Sequence, residues 1–145
     1  AGLGTRIFYT QHGSFDTHAG ELEAHSKLWT DVSMAIRDFS DDLSEHGLEK
    51  NVMIMVFSEF GRRIEDNGTG TDHGSGGVAF AIGELIDGGF FGDYPSLKGE
   101  YQLEGDLHYN NDFRGTYATV LEQWLGLEAA PIVNGHFEQL RFIQN

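Results

Sequence analysis

Cysteine is absent from this chain of 145 residues. Its absence excludes disulfide bonds, thiolate nucleophiles and zinc sites with cysteine ligands. The chain therefore fits any redox compartment. A bound metal ion would need ligands from histidine, carboxylate, amide or hydroxyl side chains.

Basic residues are scarce. The chain has 9 lysines and arginines against 23 aspartates and glutamates, which gives a formal net charge of −14. A surface this acidic repels nucleic acids and anionic membranes, so we expect neither as a partner. An anionic substrate would need local positive charge at the site, and metal ions can supply it.

Long apolar runs are also missing. The longest, residues 52–57, is far shorter than the roughly 20 residues that span a bilayer. With 39% hydrophobic and 12% aromatic residues, the composition is that of a folded protein, and the length fits one domain, residues 1–145. Residues 1–4 include no initiator methionine and no signal peptide, so we expect the chain to begin inside a domain.

The apolar pattern predicts alternating strands and helices. Apolar residues recur every three or four positions over residues 21–46, as in an amphipathic helix. A strand is predicted for residues 51–58, because they contain the continuous apolar run at 52–57, which is typical of a central strand. The other predicted elements are a strand at 5–11, a loop at 12–20, a loop at 59–77, a strand at 78–82, an irregular stretch at 83–105 and a helix at 112–125 with Asp112 as N-cap. This order indicates an α/β fold.

Three polar clusters lie next to the predicted strands. Asp16 and His18 follow the first strand, Glu59 follows the second, and Asp72-His73 precedes the third. Ligands of open α/β sheets bind at strand ends, so these side chains are candidates for one site. Carboxylate and imidazole suit zinc, manganese or iron. The alternative is that both pairs only stabilise turns.

Arg62, in S-E-F-G-R-R at residues 58–63, can grip an anionic oxygen as a fork, or it can be a surface arginine. His25 lies on the apolar face of the first helix, where we expect a satisfied, partly buried histidine. His12 can line the site. No G-x-S-x-G motif, P-loop or His-Glu-x-x-His motif occurs.

Five ordered motifs resemble one bacterial family, the sulfatase-like domain of unknown function 1501, whose members are often exported by the twin-arginine route. They are G-S-F-D-T-H-A-G at residues 13–20, S-E-F-G-R at 58–62, T-D-H-G-S-G-G at 71–77, D-F-R-G-T-Y-A-T-V-L at 112–121 and W-L-G at 124–126. The resemblance covers nearly the whole chain and implies a periplasmic or secreted protein.

This family is similar to the alkaline phosphatase superfamily. The resemblance implies a three-layer α/β fold with a mostly parallel sheet between helices, of which this chain would be the C-terminal part. It implies that Asp16, His18 and His73 hold one metal ion and that Glu59 stands near a second. Phe60 occupies the position where the superfamily has a histidine for that second metal. The nucleophile would lie on an earlier strand, outside this chain.

The resulting functional hypothesis is a metal-dependent hydrolase of small phosphate or sulfate esters. Asp72 and Glu59 would be ligands or would orient ligands, and Arg62 would stabilise the transferring oxyanion. Zinc is the expected ion, with manganese, calcium or copper as alternatives. The competing hypotheses are a non-catalytic metal-binding or interaction module and a metal-dependent enzyme of another class, an esterase or oxidase. Because a truncated sheet exposes its edges, we also expect a homo-oligomer.

Overall fold

The longest element is helix α1, Glu21–Glu45, in a computed structural model that describes residues 4–144. This helix confirms the one predicted for residues 21–46. The expectation that the chain begins inside a domain concerns residues 1–4, of which only residue 4 is described. The apolar stripe of α1 is only half-buried, because no residue of the helix is fully buried. The helix ends at Glu45, and Gly47, two residues later, has a φ of 65°, the left-handed conformation that glycine adopts without strain.

Four strands follow, and they form two separate sheets. The strands are β1 (Ile54–Val56), β2 (Gly61–Asp66), β3 (Thr71–Gly74) and β4 (Phe80–Ile82). β1 pairs with β4 and β2 pairs with β3, both antiparallel. The predicted three-layer fold with a mostly parallel sheet is therefore wrong. Parallel neighbours need a long crossover, whereas β2 and β3 are joined by residues 67–70 alone, which permits only an antiparallel hairpin.

The loop predicted for residues 59–77 is wrong as well, because most of it is the β2–β3 hairpin. Its turn is built by Asn67, whose Oδ1 accepts hydrogen bonds from the amides of Thr69 (3.2 Å) and Gly70 (3.0 Å). Gly74 permits close strand pairing, since a Cβ there would lie 2.6 Å from the carbonyl carbon of Arg62. Gly74 thus allows β2 and β3 to pair closely, although the abundance of glycine in this stretch predicted a loop.

The first predicted strand does not form. Residues 5–11 join no sheet in the described chain, and Ile7, Phe8 and Tyr9 are 67%, 79% and 74% exposed. β-branched and aromatic residues favour a strand only when a neighbouring strand supplies hydrogen bonds. The strand predicted for residues 51–58 shortens to β1 and is half-buried, whereas β4 lies within the strand predicted for 78–82.

The C-terminal helices carry the small core. Helix α2 spans Phe113–Thr119, continues as a π-helical segment, Val120–Trp124, and is followed by α3, Ala130–Val133. Asp112 is the N-cap, as predicted, and hydrogen bonds from the Arg114 side chain and amide lower its pKa to about 2. Side chains of Ala118, Ala129 and Val133 are buried, with Tyr117, Leu121 and Phe137 packed against them.

The closing segment is tied to the middle of the chain. Ile143 forms an isolated antiparallel bridge with Ile86, and the amide of Asp87 donates to the carbonyl of Phe142 at 2.8 Å. Phe142 and Ile143 are buried. Of the helices between residues 4 and 144, none is long and apolar enough to cross a bilayer.

Candidate metal site

The loop at residues 12–20 places Asp16 and His18 near the N-terminal end of α1. Its anchor is Phe15, whose ring packs against His25 and Trp29 of α1 at centroid distances of 5.5 and 5.3 Å. The amide of Thr17 donates to the carbonyl of Phe15 at 2.9 Å, which makes a tight turn. Aromatic packing on one side of the turn therefore leaves the intervening carboxylate and the following imidazole at the surface.

The β2–β3 hairpin brings the second pair of candidate residues to the same place. Asp72 and His73 lie in β3, and His73 is directly opposite Arg62 of β2. The Asn67 side chain donates to the carbonyl of His18 at 3.0 Å. The hairpin turn therefore also contacts the loop at residues 12–20, which we call the ligand loop because it carries the candidate ligands Asp16 and His18. The structure thus unites two motifs that are more than 50 residues apart.

Three donor atoms converge there. Asp16 Oδ1 lies 2.8 Å from His73 Nε2 and 3.1 Å from His18 Nε2. Each of the three residues offers one ligand atom within 4.8 Å of those of the other two. Zinc bonds to nitrogen and oxygen of about 2.0–2.2 Å would separate neighbouring donors by roughly 3–3.5 Å. The donor types, and the distances from Asp16 to the two histidines, therefore fit a divalent ion. The side chains of Asp16, His18 and His73 are 63%, 50% and 42% exposed, which leaves one side open to solvent.

Asp72 contacts the other nitrogen of His18. Its Oδ1 accepts a hydrogen bond from His18 Nδ1 at 2.9 Å, on the side of the ring away from Asp16. A proton held on Nδ1 leaves the Nε2 lone pair available to an ion. Histidine ligands of metals usually have such an outer partner. Asp72 is therefore placed to orient His18, while His73 reaches the convergence point itself.

The charges of the cluster are mutually stabilising. The hydrogen bond from His73 lowers the pKa of Asp16, and the hydrogen bond with His18 lowers the pKa of Asp72. The hydrogen bond to Asp72 and the nearby Asp16 charge raise the pKa of His18. Both carboxylates consequently stay ionised and able to accept hydrogen bonds or to bind a cation at neutral pH.

Phe60 lies against the cluster. Its ring stacks on His73 with centroids 3.8 Å apart and planes at 10°, and His73 in turn stacks on His18 at 5.0 Å. Phe60 thus supplies an apolar face to His73, one of the three candidate ligands.

Arg62 and Glu59, the two residues predicted to assist catalysis, lie in different surroundings. The Arg62 guanidinium donates to backbone carbonyls of the ligand-bearing segments. Glu59 is exposed and does not belong to the group of converging ligand atoms. His12 is also exposed, and its Nδ1 lies 3.0 Å from the carbonyl oxygen of Gly13. Their predicted roles stay predictions.

Sequence reasoning did not anticipate Glu21. Its Oε2 accepts a hydrogen bond from the Thr71 amide at 2.7 Å and lies 3.7 Å from Arg62 Nη1. Burial by itself would raise the pKa of Glu21, but the Thr71 hydrogen bonds and the Arg62 charge lower it overall. The spacing of Glu21 and His25, four residues apart on one helix face, was the available signal. His25 Nε2 contacts Thr17 Oγ1 at 2.9 Å, which fits the expected partly buried, hydrogen-bonded histidine.

A family model described as "Protein of unknown function (DUF1501)" matches residues 1–129. The chain belongs to this family. The family named by the motif resemblance is thereby confirmed. No curated protein and no solved structure matches the chain.

The part of the chain shared with DUF1501 contains the whole cluster. Asp16, His18, Asp72, His73 and Arg62 all lie within residues 1–129, as does helix α2. Helix α3 and the closing segment lie beyond the match. The candidate metal site is therefore built entirely from sequence that corresponds to the DUF1501 model.

Proposed function

We propose that this chain carries a divalent-metal site of a hydrolase that acts on small phosphate or sulfate esters. The observation that supports metal binding is the convergence of Asp16 Oδ1, His18 Nε2 and His73 Nε2. Ester hydrolysis rests on the resemblance of the family to the alkaline phosphatase superfamily, although the described residues do not form the three-layer fold of that superfamily. Zinc is the first candidate, since histidine nitrogen and carboxylate oxygen are its usual ligands in proteins that lack cysteine.

The protein residues have separable roles in this proposal. Asp16, His18 and His73 are the ligands, and Asp72 fixes the ring of His18. An ion held there would polarise an ester oxygen and lower the pKa of a bound water molecule. A divalent ion with one ligand carboxylate would carry a formal charge of +1, and the Asp72 carboxylate beside His18 would offset that charge. Binding of an anionic ester to this chain, whose net charge is −14, would therefore depend on direct coordination of an ester oxygen to the ion.

Replacement of His73 tests the metal site. His73→Ala removes one of three donors, so we expect the zinc dissociation constant to rise by more than the roughly 10- to 100-fold typical of losing an outer partner. His136→Ala is the matched control, because His136 is equally a histidine of the surface but lies outside the cluster. Calorimetry and metal analysis measure the effect. Unchanged zinc binding by His73→Ala would contradict the assignment.

A non-catalytic metal-binding module is the second candidate. The observation that favours it is the position of Arg62, whose terminal nitrogens already donate to carbonyls and not toward open solvent. Aryl phosphates, phosphodiesters and aryl sulfates offered to the zinc-loaded chain separate the two candidates. Turnover that is lost in His73→Ala supports the hydrolase, whereas zinc binding with no turnover on any ester supports the module.

A further inference from the structure

Arg62 is the best-connected side chain near the ligands. It is the second residue of β2, and its side chain is 21% exposed. Nη1 donates to the carbonyls of Thr17 and Thr71, each at 2.6 Å, and Nη2 donates to the carbonyl of Phe15 at 2.7 Å. Nη2 also lies 3.4 Å from Thr17 Oγ1. One guanidinium therefore uses most of its five N–H groups on the protein itself.

The carbonyls that Arg62 contacts belong to residues next to the ligands. Phe15 and Thr17 flank Asp16, and Thr17 also precedes His18. Thr71 lies two residues before His73. The ligand loop belongs to no helix or sheet, so the backbone positions of Asp16 and His18 depend on such cross-contacts. Arg62 is the residue that joins both ligand-bearing segments through one planar group.

Arg62 also contacts the aromatic stack beside the ligands. Its Cζ lies 5.1 Å from the centroid of the Phe60 ring, which stacks on His73, and His73 stacks on His18. A guanidinium over an aromatic face is attracted by the ring quadrupole. The guanidinium that donates to the loop carbonyls therefore also contacts the ring that stacks on His73.

The charge of Arg62 is already compensated. Glu21 Oε2 lies 3.7 Å from Nη1, and Glu21 itself binds Thr71 through its amide and hydroxyl. Other groups also support the loop, since His25 Nε2 lies 3.1 Å from the carbonyl of Phe15. None of these groups reaches both segments with the fork geometry of a guanidinium, which lysine lacks.

We propose that Arg62 is a positioning residue that holds the Asp16–His18 loop and the Asp72-His73 strand in register for a shared ion. In this proposal, Arg62 binds the backbone carbonyls of the segments that carry the ligands, and it does not bind the transferring oxyanion. It rests on the proposed metal site, and it extends that site to a residue that touches neither ion nor substrate.

Arg62→Lys tests the proposal because it keeps the charge and removes the fork. In metal-free protein, we expect hydrogen exchange at the Thr17 amide to accelerate at least tenfold while exchange within α1 stays unchanged. In zinc-loaded protein, we expect the dissociation constant to rise about 10- to 100-fold, as for loss of an outer ligand partner. The visible spectrum of the cobalt-substituted variant should also shift, because the ligand angles change.

Arg63→Lys is the matched control. Arg63 is the next residue of β2, and its Nε donates to Asp106 at 3.0 Å. Its positive charge acts on Asp72, and lysine keeps that charge, so the variant isolates the carbonyl contacts that Arg62 makes. We expect its metal affinity and Thr17 exchange to be those of the parent chain. Equal effects of the two substitutions would overturn the proposal, as would accelerated exchange in loop and helix alike, which would indicate general unfolding.

The outcomes separate this proposal from the proposed function. If the parent chain binds no zinc or cobalt, the metal site fails, yet the exchange experiment still decides whether Arg62 orders the loop. If the parent chain binds zinc and Arg62→Lys binds it equally well, the positioning role fails and the metal site stands. If zinc-loaded Arg62→Lys binds zinc as the parent chain does but binds inorganic phosphate more weakly, the positioning role is overturned, and the result supports the predicted role of Arg62 in binding the anionic oxygen.

Discussion

At the scale of single residues, His18 is distinguished by having a carboxylate at each ring nitrogen. Nε2 faces Asp16 at 3.1 Å and Nδ1 faces Asp72 at 2.9 Å. The two carboxylates therefore have different positions relative to the proposed ion, although both are exposed and the pKa of each is lowered. In the proposed site, the ring nitrogen that each carboxylate contacts makes Asp16 a ligand and Asp72 the residue that orients His18.

Asp72→Ala is the test at this scale. The variant removes the acceptor for His18 Nδ1, so the ring can rotate or change tautomer. We expect the zinc dissociation constant to rise about 10- to 100-fold, less than for His73→Ala, because no direct donor is lost. Calorimetric titration at fixed ionic strength measures it.

The control for that experiment is Glu65→Ala. Glu65 is an exposed carboxylate at the end of the same strand pair, so its removal changes the net charge equally. We expect no more than a small loss of affinity from it. A loss as large as that of Asp72→Ala would mean that bulk charge, and not the orientation of His18, determines binding.

At the scale of elements, the β2–β3 hairpin determines the site. Arg62 and His73 are paired residues of the hairpin, and Phe60 immediately precedes it. One strand register therefore fixes the relative positions of His73, the Phe60 ring that stacks on it and the Arg62 guanidinium. A shift of one residue would move His73 to the opposite face.

Gly74→Ala tests this dependence on strand pairing. The new Cβ would lie 2.6 Å from Arg62 C and 2.7 Å from Arg63 N, so the strands must separate. Overpacking of this kind typically costs about 1–3 kcal/mol, and we expect a lower unfolding midpoint together with weaker zinc binding. Denaturant titration and calorimetry measure the two effects.

Gly88→Ala is the comparison variant, since nothing lies within 4 Å of its added Cβ. Its stability should match or slightly exceed that of the parent chain, because alanine restricts the unfolded state. A parent-like stability and zinc affinity in Gly74→Ala would show that the two strands do not approach as closely as described.

At the scale of the whole molecule, much apolar surface is exposed. The core comprises few fully buried residues, whereas Phe8, Leu22, Phe90 and Tyr94 are 79%, 87%, 102% and 88% exposed. Both described sheets have only two strands, so each strand has an open edge. Exposed apolar surface and unpaired edges favour association with another polypeptide.

We therefore expect the purified chain to self-associate at micromolar concentration. Sedimentation equilibrium should give an average mass above the 16.1 kDa of one chain. Because the net charge of −14 opposes contact between copies, added salt should strengthen the association by screening that repulsion. A monomer across this range, or association that salt weakens, would contradict an apolar interface.

Local patterns in the sequence determined a defined part of this protein. The three- and four-residue apolar period determined α1, and the carboxylate and backbone amide chemistry of Asp112 determined the start of α2. The motifs around Asp16, His18 and Asp72-His73 identified the family and the candidate ligands. These features depend on neighbours within a few residues, so a linear reading can find them.

Tertiary structure decided what depends on distant partners. The strand direction, the hairpin inside a glycine-rich stretch and the lack of a strand at residues 5–11 follow from which segments pair, and composition does not encode that choice. The hydrogen bond between Asp72 and His18, and the contacts of Arg62 with the carbonyls of Phe15 and Thr17, likewise arise only when residues more than 40 positions apart meet. Side-chain chemistry defines what a residue can bind, whereas its neighbours in space determine what it contacts.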